Sequence, residues 1–127
     1  MPAAAWWGHG GGVNLLIVDD SERFVRSARR LLEREGAVVA TAATGAEALA
    51  VAGALPVDVS LVDVQLGAEN GASVADALAA ARLGGRILLI STRGADDLAD
   101  LLAGSAAVGF VPKSDLSVAA IEAALRV

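Results

Sequence analysis

Four charged residues stand where apolar runs stop. VNLLIVDD ends in Asp19 and Asp20, DVSLVDV carries Asp63 near its end, and VGFVPK ends in Lys113. RILLIST contributes two hydroxyls, Ser91 and Thr92. Carboxylates held together repel: at roughly 4 Å and an effective dielectric near 20, each pair costs about 4 kcal/mol. If Asp19, Asp20 and Asp63 share one pocket, something positive must fill it. A few oxygen donors suit a hard divalent cation that keeps several waters, Mg2+ or Mn2+. A cluster that merely caps helix N-termini would account for Asp20 alone and fits Asp63 poorly. Lys113 is the one lysine beside nine arginines. Chance is the plain alternative, but a compact ammonium is not equivalent to a planar guanidinium fork. A cation, an ammonium and a hydroxyl suit phosphoryl transfer, because they neutralise the oxygens of the transferred group. An aspartate can then act as the nucleophile and form an acyl phosphate.

The elements that would position these residues follow a regular pattern from Val13 onward. After the first apolar run, Ser21 reads as a helix cap. Phe24, Ala28, Leu31 and Leu32 share one face of the helix that follows, and Gly36 stops it. AVVATAA is a second strand. Thr44 and Glu47 have capping-box spacing and open a second helix with Leu49 on its apolar face. DVSLVDV is the third strand and QLGAENG a loop. A helix with Val74, Ala77, Leu78 and Ala81 runs to Gly84-Gly85. RILLIST is the fourth strand, a short helix covers Asp96–Leu102, and VGFVPK is the fifth strand. The last helix places Ala120, Ile121, Ala124 and Leu125 on one face. The strands are near-continuous apolar runs, as in a parallel sheet buried on both faces. The expected fold is α/β, a doubly wound five-stranded parallel sheet with helices on both faces. If the order is flavodoxin-like, 2-1-3-4-5, the first and third strands are neighbours. The three aspartates then converge beyond the carboxyl ends of the strands.

The 127 residues suggest one domain, 13–127, behind a flexible tail, 1–12. Trp6 and Trp7 in that tail are either disordered or a hydrophobic anchor, and His9, in a glycine-rich stretch, is a poor catalytic candidate. The net charge of −5 argues against nucleic-acid and anionic-membrane binding, which need clustered Lys or Arg. With no cysteine, disulfides and thiolate metal sites are excluded. No apolar run approaches the roughly 18 residues of a membrane span, and the N-terminus has no secretory pattern. The expected location is the cytoplasm.

The residues in IVDD (17–20), LVDVQL (61–66), Gly71, LLIST (88–92) and GFVPK (109–113) match one family. Over nearly all of 13–127 the chain resembles response-regulator receiver domains. Together these motifs are highly specific, whereas any one alone is weak. The resemblance implies that Asp63 is the phospho-acceptor and that Asp19 and Asp20 serve the metal, Asp20 more directly. The backbone carbonyl of Gln65 would complete the protein's share of the shell. Lys113 would contact the phosphoryl group, Ser91 would be the switch hydroxyl, and Phe110 the switch aromatic that follows it. The phosphoryl donor would be a histidine kinase or phosphotransfer protein.

Several positions depart from the commonest family pattern. Ser91 replaces threonine and keeps the hydroxyl. Thr92 stands where a small residue is usual, which would narrow access to Asp63. Gly67 replaces a common proline, which predicts a more mobile loop. Gln65 and Arg93 occupy positions that tune phosphoryl lifetime. Arg23, Arg26, Arg29, Arg30 and Arg34 line the first helix. They form either a solvated face supported by pairs such as Glu22–Arg26 and Arg29–Glu33 or a docking surface for the phosphoryl donor. Asp96, Asp97 and Asp100 read as solvated or as partners for a second protomer. No output domain follows Val127, so the expectation is a stand-alone receiver. Its output would be a protein contact, a relay, or a homodimer through the fourth helix, fifth strand and fifth helix. Three alternatives are weaker. A receiver-like interaction module that is never phosphorylated would not need the complete residue set. A small aspartyl-nucleophile phosphatase would need an aspartate at Gln65. A flavin or nucleotide binder would need a phosphate-cradling loop where this chain has DDSER.

Overall fold

The computed structural model describes residues 12–92, 100 and 102–126. The expectations for the tail, Trp6, Trp7, His9, Arg93, Asp96 and Asp97 lie outside the described residues, as does most of the helix expected over Asp96–Leu102. Strands β1 (Asn14–Val18), β2 (Val38–Ala42), β3 (Val59–Asp63), β6 (Arg86–Ser91) and β7 (Gly109–Pro112) form one sheet. Its order is β2-β1-β3-β6-β7, every pair parallel. With the small hairpin of β4 (Gln65–Leu66) and β5 (Glu69–Asn70) set aside, this is the 2-1-3-4-5 order expected from the sequence. β3 is buried throughout, β1 from Leu15 onward and β6 from Ile87 onward, because both faces of the sheet are covered. Leu15, Ile17, Leu61, Leu88 and Ile90 join one core under α1 (Glu22–Arg34) and the final helix, α4 (Val118–Leu125). Leu16, Val18, Val62 and Leu89 join another under α2 (Gly45–Ala54) and α3 (Gly71–Ala80). Fully burying each such side chain is worth about 1.5–3 kcal/mol.

Helix starts follow the sequence signals. Ser21 Oγ accepts from Phe24 N at 3.3 Å, and Ser117 Oγ accepts from Ala120 N at 2.9 Å. Thr44 Oγ1 accepts from Glu47 N at 3.1 Å, but Glu47 Oε1 reaches past the cap to Ala43 N at 3.0 Å. Four expectations need correction. Leu31 is exposed, because only Ala28 and Leu32 of its helix lie fully under the sheet. In α3 the buried partner of Val74 and Leu78 is Ala75, while Ala77 faces outward. That helix ends at Ala80, ahead of Gly84-Gly85, in a turn where Arg82 has φ 59. The segment expected as a loop after Asp63 folds into an antiparallel hairpin, β4 (Gln65–Leu66) and β5 (Glu69–Asn70).

Candidate functional site

The parallel register places the ends of β1, β3 and β6 side by side: Val18 pairs with Val62, and Asp63 with Ile90. Asp19 and Asp20 therefore emerge next to Asp63. Carboxylate oxygens from the three aspartates all lie within 4.8 Å of one another. Ser91 is buried at the end of β6, and Lys113 opens a short 3-10 turn directly after β7. Asp63, Val64, Gln65, Gly67, Ser91, Thr92 and Lys113 line a pocket of about 340 Å³.

Lys113 Nζ lies 2.7 Å from Asp19 Oδ2 and 3.4 Å from Asp63 Oδ2. The ammonium thus bridges acids from two strands. The shorter approach has ion-pair distance without hydrogen-bond direction, so Asp19 Oδ2 remains a buried acceptor with no hydrogen bond. The other oxygen of Asp19 accepts from Ser21 N at 2.9 Å. Asp63 Oδ1 receives a long bond, 3.4 Å, from Gln65 N. Burial, and then the negative charge of Asp19, push the Asp63 carboxyl above the usual carboxylate range. Lys113 and the Gln65 N–H pull the other way without cancelling the rise.

A hard cation fits this donor set. Three carboxylates share one spot, one buried oxygen still lacks a hydrogen bond, and all the donors are oxygen. Asp20 is exposed and lies under the hairpin turn, where a Cβ on Gly67 would be 3.4 Å from Asp20 Oδ2. Gly67 has φ 55. The ring of proline fixes φ near −65°, so this hairpin is closed to the residue common in the family. Glycine here permits a tight paired turn between Gln65–Leu66 and Glu69–Asn70.

Phe110 pairs with Leu89 in register and packs half-buried against the α2–α3 core. Thr92 is exposed at the pocket mouth. Sequence reasoning counted Phe24 as a core-facing helix residue only. Its ring also lies under the ammonium, with Lys113 Nζ 4.5 Å from the centroid. A cation over an aromatic face is attracted by the ring quadrupole. The helical spacing of Phe24 carried no hint of this, because the partner is 89 positions away by number (113 − 24).

The comparisons with known proteins agree with this geometry. The family model described as response regulator receiver domain matches residues 15–126. The photosynthetic apparatus regulatory protein RegA of Cereibacter sphaeroides is 36% identical over 86 residues, which cover 68% of this chain and 47% of that protein. The match thus spans about half of that relative. A response regulator from Burkholderia pseudomallei, crystallised with a phosphorylated aspartic acid, a calcium ion and citrate, superposes with TM-score 0.77 and 33% identity, covering 89% of this chain and 66% of that one. The receiver domain of NarL from Mycobacterium tuberculosis gives TM-score 0.73 and 29% identity over 91% and 94% of the two chains.

Proposed function

The chain belongs to the response regulator receiver domain family, and on that premise we propose that Asp63 accepts a phosphoryl group from a histidine kinase or phosphotransfer protein in a Mg2+-dependent reaction. The observation that carries this reading is the meeting of Asp19, Asp20, Asp63 and Lys113 at three strand ends.

Asp63 is the nucleophile. One of its oxygens forms a bond to phosphorus as the bond to the donor breaks, and the product is an acyl phosphate. Lys113 is already at its side and would follow an oxygen of the arriving group. Its second partner, Asp19, keeps the ammonium from swinging away while the charge is redistributed. Asp19, Asp20, Asp63 and the backbone carbonyl of Gln65 would hold the ion. When bound, the ion supplies positive charge that favours the ionised nucleophile and neutralises the phosphoryl oxygens. Ser91 lines the pocket and can donate a hydroxyl to the new group. Phe110 follows by changing rotamer, and the surface around β7 and α4 changes its preferred protein partner, a population shift. Gln65, Thr92 and Arg93 tune how long the phosphoryl group survives. The chemistry is spent on signalling rather than on turnover of a substrate. No helix among the described residues is long and apolar enough to cross a membrane, and a cytoplasmic setting suits the reading.

Incubation with acetyl phosphate and Mg2+ tests this directly. The wild type should gain the mass of one phosphoryl group, and Asp63→Asn should gain none. Equal labelling of the two proteins would place the acceptor elsewhere, and no labelling of either would favour an interaction module that is not phosphorylated.

A further inference from the structure

We propose that Glu69 is a positioning residue for the metal pocket, acting by clamping the hairpin that carries Gln65 onto the N-terminus of α2. The proposal rests on the receiver reading, in which the Gln65 carbonyl joins the metal shell.

The hairpin has only two residue pairs, Gln65 with Asn70 and Leu66 with Glu69. An isolated two-stranded hairpin is marginal at best in water, so this one needs outside support. Two supports lie in its own neighbourhood. Gly71 N donates to Val64 O at 2.7 Å, and Leu66 is buried against the α2–α3 core. The third reaches a different element. Glu69 Oε1 accepts from Gly45 N, the first residue of α2, at 2.9 Å. Its charge sits at the positive end of the helix, where a carboxylate is favoured.

The approach of Glu69 depends on the absence of a side chain at position 45. A Cβ there would lie 2.7 Å from Glu69 Oε2 and 3.0 Å from Val74 Cγ2. At α2 the contact satisfies the Gly45 N–H, beside the Glu47 N–H that Thr44 Oγ1 takes. At its other end it holds the hairpin, whose turn at Gly67 lies over Asp20. Without the clamp, Gln65 and the turn would have to be ordered at the moment an ion binds. That ordering cost appears as weaker ion affinity.

Titration calorimetry with MgCl2 on the full chain tests the clamp, with melting curves in EDTA as the check on folding. Glu69→Ala should weaken Mg2+ binding about 10-fold, the lower end of the usual effect of removing an outer-shell partner. Glu69→Gln keeps an acceptor oxygen and should recover most of the affinity. Gly45→Ala leaves Glu69 in place but pushes its carboxylate away, and should reproduce the loss. Wild-type affinity in both folded alanine variants would overturn the clamp and leave the receiver reading standing. So would a lower melting temperature with unchanged affinity. Absence of Mg2+ binding by the wild type itself would overturn both.

Discussion

Asp63 is held in a state of electrostatic tension before any ion arrives. Burial and the charge of Asp19 favour its protonated form, so its carboxyl sits above the ordinary range. Because the folded value is raised, folding binds this proton more tightly than the unfolded chain does. The stabilising contribution of Asp63 is therefore present at low pH and is lost as pH rises through the folded value. Metal-free Asp63→Asn should accordingly melt at a higher temperature than wild type at neutral pH. The advantage should shrink as pH falls through the raised folded value and be gone below the usual carboxylate range. Melting curves in EDTA across that window check the sign, and a neutral-pH melting temperature lowered by the substitution would contradict it. The acids and Lys113 were legible in the sequence because each ended an apolar run. The aromatic floor under Lys113 was not, because Phe24 has the spacing of an ordinary core residue and its second contact is made only by the folded chain.

Among the elements, the segment between β3 and α3 was the least legible. QLGAENG has turn-forming residues and only one core side chain, so pattern reasoning gives a loop. The structure pairs it because Gly67 takes a positive φ and Leu66 finds the core beneath. At the hairpin's far end Asn70 Oδ1 accepts from Ala72 N at 2.8 Å and starts α3. Gly71 lets that helix begin against the backbone of Asp63 and Val64, where a Cβ would collide with both residues. Gly71→Ala should therefore cost about 1–3 kcal/mol, the usual range for overpacking. It should also shift the backbone amide signals of Asp63 and Val64. Denaturant unfolding and NMR measure the two effects, and unchanged stability would show that the helix can slide away freely. The strands, by contrast, were readable to within a residue or two. Their unbroken aliphatic runs have few other uses in a chain of this length.

For the molecule as a whole, the sheet divides the work. Its two faces hold separate aliphatic cores, and the ionisable cluster is confined to the carboxyl ends of the strands. Away from that cluster the elements are tied by side chains that reach backbone groups. Glu35 Oε1 accepts from Val118 N at 2.7 Å and joins the end of α1 to the start of α4. Asp58 Oδ2 accepts from Asn14 N at 2.8 Å, and Arg86 Nη2 donates to Leu125 O at 3.0 Å. Of the two helical-spacing ion pairs considered on the arginine-rich first helix, Arg29–Glu33 forms, at 3.1 Å between two half-exposed side chains. Such pairs contribute little to stability.

The ammonium held between Asp19 and Asp63 has one more consequence. Because Lys113 is the chain's one lysine, isotope placed in lysine alone would light up a single side-chain resonance. That resonance should move on titration with acetyl phosphate and Mg2+ in the wild type and stay fixed in Asp63→Asn. The composition has thus built a one-atom spectroscopic probe into the place where the chemistry is expected to happen.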